Sequence, residues 1–232
     1  MRKENCKVTL SNVCLSYGDN VVYDGFNAEF GQGINVILGK SGCGKTSLLN
    51  VVAGLADYTG ECQSDKPSIV FSEPTLAPVS VENNVKAVLG KDCGKQAENA
   101  LKSARIYDKR KQNAMTLSDG EKQRVALARA FAVERKLMLL DEPFSRLDYG
   151  VKTQLYDTLI DYLQSRDITA LLVTHDVDEA LTLADRIYFL DGKPCKLRLV
   201  AELTVPQKQR DIFDDAHNEI RKQLQQLFTD EN

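Results

Sequence analysis

An apolar run that enters a glycine-rich segment and then a helix is the pattern that most constrains this chain. The run covers residues 34–38, and the helical stretch covers residues 47–53. Glycines let the backbone turn tightly with no Cβ in the way, so that N–H groups can surround phosphate oxygens. The start of the following helix adds unpaired N–H donors and a positive dipole end. The pattern therefore predicts a loop that holds the β- and γ-phosphates of a nucleotide, formed by Gly39, Lys40, Ser41, Gly42, Cys43, Gly44, Lys45 and Thr46.

Three side chains of this loop have predicted roles. Lys45 would bring a positive charge to the phosphates, and the Thr46 hydroxyl would be a ligand for Mg²⁺. Cys43 has two interpretations. A helix N-terminus can lower the pKa of a thiol and make it sensitive to alkylation; alternatively, Cys43 is simply a small residue that fits a tight loop.

Polar residues follow two further apolar runs, residues 137–140 and 170–173. Parallel strands deliver the residues at their carboxyl ends into the crevice where α/β sheets bind ligands. There, Asp141 could hold Mg²⁺ directly or through water, and Glu142 could accept a proton from an attacking water. His175, at the end of the second run, is predicted to contact the γ-phosphate. A surface acidic pair and a structural histidine are the alternatives.

Alternation of apolar and polar residues over positions 7–30 predicts antiparallel strands with a turn at residues 18–20. Tyr17, beside that turn, could stack on adenine or could pack within the sheet. Residues 58–61 are predicted to form a turn. A helical insertion is expected over residues 81–107, with interruptions at Gly90 and Gly94. The C-terminal helix, about residues 214–228, has one apolar face that could dock on its own domain or on a partner.

The composition excludes some classes of protein. A net charge of −3 gives no basic surface for nucleic acid, so no nucleic-acid partner is expected. No window approaches 18 uninterrupted apolar residues, and no signal peptide is recognised, so the chain is expected to stay in the cytoplasm. The six cysteines are scattered without a C-x-x-C pair, which predicts a reduced protein without a cysteine metal site. His217 is expected to be solvated.

The order of these motifs resembles that of the ATP-binding subunits of ABC transporters, over nearly the whole chain. The matching segments are the Walker A loop (39–46), the signature (117–121), the Walker B strand (137–141), the catalytic Glu142, the D-loop (145–148), the switch His175 and the adenine-stacking Tyr17. Residues 174–180 and the short helical insertion are most similar to importers of the nitrate, sulfonate and taurine class.

This resemblance implies an α/β fold of the P-loop NTPase type, with a mainly parallel core sheet, an N-terminal antiparallel β subdomain and a small helical subdomain. It implies one ABC ATPase domain over residues 1–232, with the helical subdomain at about 73–135. ATP and Mg²⁺ are the implied cofactors, bound by residues 39–46 together with Ser47. The implied assembly is an ATP-dependent head-to-tail homodimer in which Ser118 and Gly120 touch the γ-phosphate in trans. The implied partners are a transmembrane permease and an external substrate-binding protein, which would place the chain at the cytoplasmic face of the membrane.

Two departures from the family pattern affect these expectations. Ser72 stands where a glutamine is usual; Glu73 or a water could substitute for it, or coupling to the permease could be altered. Asp119 and Glu121 stand where glycine and glutamine are common in the signature. A carboxylate near a triphosphate is unfavourable unless it points away or is paired. Modest ATPase activity is therefore expected of the isolated subunit.

Two other functions would require different features of the sequence. A soluble ABC-type ATPase acting on nucleic acid or ribosomes would want a basic face, tandem ATPase domains or a long coiled-coil insertion. A phosphotransferase that merely shares the phosphate loop would leave the signature at residues 117–121 unexplained.

Overall fold

The computed structural model describes residues 8–90 and 93–229, so Cys6 lies outside the described part. Two sheets carry the fold: a three-stranded antiparallel sheet and a six-stranded sheet. The strands are β1 (Val8–Tyr17), β2 (Asn20–Phe30), β3 (Ile34–Gly39), β4 (Thr59–Gln63), β5 (Pro67–Val70), β6 (Leu137–Asp141), β7 (Thr169–Val173), β8 (Arg186–Asp191) and β9 (Lys196–Glu202). The smaller sheet has the order β2-β1-β4, and the larger one has the order β5-β6-β7-β3-β8-β9.

The larger sheet is mainly parallel. Strands β5 to β8 and β3 pair in parallel, whereas β9 is antiparallel to β8 at the edge. Every residue of β3, β6 and β7 is buried, as expected for central parallel strands that are covered on both faces. The predicted α/β fold of the P-loop NTPase type, with its N-terminal antiparallel sheet, is confirmed.

Seven α-helices accompany the sheets in the described ranges. Alternate residues of the core strands divide between two clusters. Ile37, Leu139 and Leu171 face the antiparallel sheet and α1 (Lys45–Val52). Leu38, Leu140 and Leu172 face α4 (Asp119–Val133), α5 (Tyr149–Gln164) and α6 (Val177–Leu183). Within residues 8–90 and 93–229, no helix has both the length and the hydropathy to cross a bilayer. The helices are α1 (Lys45–Val52), α2 (Val81–Lys86), α3 (Gly94–Ser103), α4 (Asp119–Val133), α5 (Tyr149–Gln164), α6 (Val177–Leu183) and α7 (Asp215–Thr229).

Two predictions of local structure are wrong. Residues 58–61 do not form a turn, because Thr59 begins β4, which pairs with β1. Gly60 has a φ of 93°, and a Cβ there would collide with the Asn12 carbonyl, so this glycine allows β4 to lie against an irregular part of β1. Gly94 begins helix α3 rather than interrupting one.

The C-terminal helix docks on its own domain. Leu224 is fully buried in the core, and Ile220 and Leu227 pack against the same cluster. His217 is 4% exposed, with Nδ1 2.8 Å from the Asp214 carboxylate, so the prediction of a solvated histidine is wrong. The burial of His217 depends on how α7 docks on the rest of the chain, and the residue pattern of the helix alone does not give that docking.

Candidate nucleotide-binding site

The glycine-rich loop connects the end of β3 to the start of α1. Gly42 and Gly44 have φ values of 75° and 96°, a region that L side chains rarely adopt. A Cβ on Gly44 would lie 2.8 Å from Val22 Cγ1, and one on Gly39 would lie 2.7 Å from the Cys43 sulfur. Gly44 is therefore required both for its dihedral angles and for its packing, whereas Gly42 is required for its dihedral angles and Gly39 for its packing.

Lys45 lies under this loop with only 8% of its surface exposed. Its ammonium group donates hydrogen bonds to the carbonyls of Gly39 at 2.7 Å and Lys40 at 2.9 Å. Its third contact is the Cys43 sulfur at 4.0 Å, which is a weak acceptor. A phosphate oxygen would accept this third N–H more strongly, so the geometry suits a phosphate in the loop.

Thr46 and Asp141 meet beside the loop. The Thr46 hydroxyl donates to Asp141 Oδ2 at 2.9 Å, and Asp141 is 5% exposed. Burial raises the pKa of Asp141, and the adjacent Glu142 charge raises it further, against the opposing effect of the Thr46 hydrogen bond. A divalent cation would favour the ionised carboxylate. A hydroxyl and a carboxylate are hard oxygen ligands, and this pair therefore fits Mg²⁺.

Glu142 and His175 come from the ends of neighbouring strands. Glu142 follows β6 and His175 follows β7, and His175 Nδ1 lies 3.1 Å from Glu142 Oε1. Glu142 has a φ of 46°, in the left-handed region that is uncommon for residues with a side chain. Its N–H donates to the Val173 carbonyl at 2.9 Å, which fixes this turn against β7. Strained backbone of this kind is frequent at functional sites.

One cavity of about 660 Å³ brings most of the predicted residues together. Tyr17, at the end of β1, is 52% exposed and contributes its ring to the cavity wall. Sequence reasoning missed Asn20 and Val22, which follow the β1–β2 turn opposite Tyr17; the pairing of Tyr17 with Asn20 is the signal that could have found them. Gly39, Lys40 and Cys43 lie outside the lining, which comprises Tyr17, Asn20, Val22, Ser41, Gly42, Gly44, Lys45, Thr46, Ser47, Asp141, Glu142, Val173 and His175.

The burial of Cys43 decides between the two interpretations of this residue. The residue is 7% exposed, and burial raises the pKa of its thiol despite the nearby Lys45 charge. The suggestion of a lowered pKa is therefore wrong, and the alternative of a small residue that fits a tight loop agrees with the packing. Cys195 lies alongside, and its thiol donates to the Cys43 carbonyl at 2.7 Å.

Ser118 and Gly120 are absent from the described lining of the nucleotide cavity. Ser118 caps α4: its hydroxyl accepts from the Glu121 N–H at 3.3 Å, and the Ser118 N–H donates to the Glu121 carboxylate at 2.9 Å. This reciprocal capping box begins the helix at Asp119. Glu121 thus has a structural role in starting the signature helix.

The Asp119 carboxylate is paired. It lies 3.4 Å from the Lys122 ammonium and 3.7 Å from the Arg146 guanidinium. Arg146 also contacts the Glu73 carboxylate at 3.0 Å, one residue beyond Ser72. Arg146 therefore joins the segment after β5 to the start of α4. Because Asp119 is paired with Lys122 and Arg146, its negative charge is partly balanced.

Gly120 is expected to be intolerant of a side chain. A Cβ there would lie 2.7 Å from the Arg146 carbonyl, whereas a Cβ on the helical Gly150 would meet nothing within 4 Å. Gly120→Ala should lower the free energy of unfolding by about 1–3 kcal/mol through overpacking. Gly150→Ala should raise it by about 0.5–1 kcal/mol, since alanine is the better helix former. Thermal unfolding of both variants checks this contrast, and equal shifts would contradict the close approach at Gly120.

A buried ionic cluster supports the segment that follows His175. Glu179, on α6, is 2% exposed and lies 3.2 Å from Lys152 on α5. Lys152 also contacts Asp176 at 2.6 Å, and the Tyr156 hydroxyl donates to Glu179 at 3.2 Å. Burial raises the pKa of Glu179 to about 7, although the Lys152 charge opposes that shift. The cluster ties α6 to α5.

The raised pKa of Glu179 predicts a specific dependence of stability on pH. Between pH 4.5 and 7 the folded protein keeps a proton on Glu179 that the unfolded chain has released, so the free energy of unfolding falls as pH rises through this interval. The loss attributable to Glu179 is on the order of 3 kcal/mol. Glu179→Gln should flatten the curve of unfolding free energy against pH, measured by denaturant titration. The exposed Glu219→Gln is the control, and an unchanged slope in Glu179→Gln would refute the assignment.

Comparison with known proteins agrees with this geometry. The family model described as ABC transporter matches residues 24–145. The chain belongs to the ABC transporter family. It is 41% identical over 226 residues to the aliphatic sulfonates import ATP-binding protein SsuB 2 of Pseudomonas savastanoi pv. phaseolicola, covering 94% of this chain and 82% of that protein. It is 36% identical to SsuB 2 of Rhodococcus jostii, covering 96% of this chain and 93% of that protein.

Solved structures of this family share the fold. The dimeric post-hydrolysis structure of the ATP-binding cassette MJ0796, bound to ADP and Pi, is 25% identical with a TM-score of 0.76 and covers 84% of this chain and 100% of that one. The chain is therefore an ATP-binding ABC transporter subunit and an ATPase, as the motif order implied. ATP is the nucleotide that the family binds.

Proposed function

We propose that this ABC transporter subunit hydrolyses ATP to power the import of a small sulfonate-type organic acid through a separate permease. The observation that carries the hydrolytic part is the convergence of Lys45, Thr46, Asp141, Glu142 and His175 on one cavity. The direction and the solute class rest on similarity to relatives that are named as aliphatic sulfonates import proteins.

Each group that converges on the cavity has a distinct role in the proposed reaction. The loop N–H groups and Lys45 bind the phosphates. Thr46 and Asp141 would hold Mg²⁺, which supplies charge neutralisation at the β- and γ-phosphates when bound. Glu142 accepts the proton of the attacking water. His175, 3.1 Å from Glu142, positions that carboxylate and contacts the γ-phosphate.

A second copy of the chain completes the proposed site. Ser118 and Gly120 lie at the start of α4, outside the cavity of their own subunit. In a head-to-tail homodimer, the α4 N-terminus of the partner subunit would face the γ-phosphate with N–H donors and a positive dipole end. ADP lacks the group that these donors would contact, so ATP favours the closed dimer and hydrolysis releases it. The dimeric cassette structure of the relative supports this arrangement.

The remaining partners follow from the proposed import function. The permease would sit in the membrane and hold this subunit at its cytoplasmic face, and an external substrate-binding protein would deliver the solute. A soluble ABC-type ATPase unconnected with transport is the competing function, and it predicts that the chain stays away from membranes in its native cell.

Solute uptake tests the proposed function. Deleting the gene should abolish growth on alkanesulfonates as the sole sulfur source, and uptake of labelled ethanesulfonate should fall with it. The intact gene should restore both, whereas a gene that encodes Lys45→Met should not. The protein should also co-purify with a permease from native membranes. Unchanged sulfonate uptake together with permease co-purification would show that the transporter carries another class of solute. If no permease co-purifies, the soluble ATPase is favoured.

A further inference from the structure

A second cavity, of about 360 Å³, lies between the edge strand β5 and helix α4. It shares no lining residue with the nucleotide cavity. Its floor includes Ser68, and its walls include Arg129 and Arg135, at the end of α4 and just beyond it. The cavity is therefore a separate concave surface with its own chemistry.

The charge of this cavity is unusual for an acidic protein. Arg129 and Arg135 both line it, and none of the described lining residues is an aspartate or glutamate. The whole chain has a net charge of −3. Burial lowers the pKa of Arg129, and no described acid forms an ion pair with either arginine. Two cations that face one cavity without a counter-charge favour the binding of an anion.

Two buried polar atoms of the lining residues have no hydrogen-bond partner among the described residues. They are Arg135 Nε, a donor, and Ser68 Oγ, whose residue is 6% exposed. Leaving a buried polar group unpaired is unfavourable. One N–H of Arg129 donates to the Thr75 carbonyl at 2.9 Å, and the guanidinium group has further N–H donors. An oxyanion can accept from several such donors at once.

The remaining lining is mainly apolar. Val88, Ala126, Ala130 and Val133 form part of the wall, with Ile69 opposite them on β5. An inorganic anion would leave this apolar surface in contact with water. A ligand with a short alkyl chain would cover this surface and so remove it from water, which favours binding.

We propose that this cavity binds a small organic anion, whose oxyanion head contacts the guanidinium groups of Arg129 and Arg135 and whose short alkyl tail lies against the apolar wall. Alkanesulfonates, alkyl sulfates and short carboxylates share this chemistry. The site is defined by residues of this chain alone, so it does not depend on which solute the transporter carries.

Calorimetric titration of the full chain with butanesulfonate tests the site. The nucleotide cavity is first filled with Mg²⁺ and a non-hydrolysable ATP analogue, because anions also bind phosphate loops. We expect saturable binding at one site, and affinity about fivefold or more higher for butanesulfonate than for methanesulfonate. Arg135→Met should weaken binding about tenfold, since it removes charged donors but keeps an apolar stem.

Lys66→Met is the matched control, because Lys66 is an exposed cation beside β5 that is not part of the lining. It should leave the affinity unchanged, and both variants should keep their unfolding temperature within a few degrees of the parent. Equal binding of sulfate and butanesulfonate would overturn the organic part of the proposal. No saturable binding, or binding that Arg135→Met leaves intact, would overturn the site itself.

Discussion

Glu142→Gln is expected to reduce ATP hydrolysis by about 10²- to 10⁴-fold, the usual contribution of a positioned general base. The amide of glutamine is nearly the same shape as the carboxylate but cannot accept the proton of the attacking water. Because Glu142 touches neither Lys45 nor the loop carbonyls that hold it, ATP binding should persist. Phosphate release at saturating ATP measures the loss, and fluorescence titration with a labelled ATP analogue measures the binding.

Glu134→Gln is a closely matched control. Glu134 also has a positive φ, of 51°, and it is exposed and outside the nucleotide cavity. Its substitution should leave hydrolysis unchanged, so that a general effect of removing a carboxylate from left-handed backbone is separated from a catalytic one. Hydrolysis by Glu142→Gln within a few-fold of the parent would show that another group takes the proton.

The same variant tests the proposed homodimer. With hydrolysis blocked, ATP and Mg²⁺ should convert the monomer to a dimer in light scattering, whereas ADP should leave it monomeric. If neither nucleotide changes the mass, either closure of this subunit needs the permease, which repeating the measurement on the purified complex decides, or the proposed interface is wrong.

Lys45→Met is expected to weaken ATP binding by about 10- to 100-fold, because charge-assisted hydrogen bonds contribute about 1.5–3 kcal/mol each. Methionine keeps the apolar stem of lysine but has no ammonium group. Its loss also leaves the Gly39 and Lys40 carbonyls without the donor that now joins them. The affinity for ATP should therefore fall together with the order of the loop, and titration calorimetry with ATP and Mg²⁺ measures the first effect.

Two comparisons separate these effects. Lys66→Met removes an exposed charge that does not line the nucleotide cavity and should leave ATP affinity unchanged. The free energy of unfolding, measured without nucleotide, reports the contribution of Lys45 to the fold. If Lys45→Met binds ATP as tightly as the parent and unfolds at the same denaturant concentration, Lys45 is not the phosphate ligand.

Most of the strand and helix pattern could be predicted, because it depends on local periodicity. The buried runs at β3, β6 and β7 are continuous and apolar, and each is followed by a polar residue that faces the same sheet edge. Parallel strands bring such ends together whatever their separation along the chain. The grouping of Thr46 with Asp141, and of Glu142 with His175, is therefore a geometric consequence of the α/β fold.

Contacts between elements decided what local patterns could not. Gly60 is typical of a turn, but the structure places it in β4 in close contact with β1. His217 is typical of a polar surface, but it is buried once α7 docks on the domain. The pKa of the Cys43 thiol also depends on tertiary structure, since burial raises it more than the Lys45 charge lowers it. Each of these properties depends on neighbours that are distant in the sequence.

The amino-acid sequence alone specified the phosphate loop and the acidic end of β6, because glycine dihedrals and apolar periodicity act over a few residues. The order of its motifs carried the resemblance to the family. The tertiary structure alone decided that Arg146 joins Glu73 to Asp119, that Lys152 meets Glu179, and that Arg129 and Arg135 share a cavity without an acid. Charges interact across the space between elements, and that space exists only after the sheet and its helices have packed.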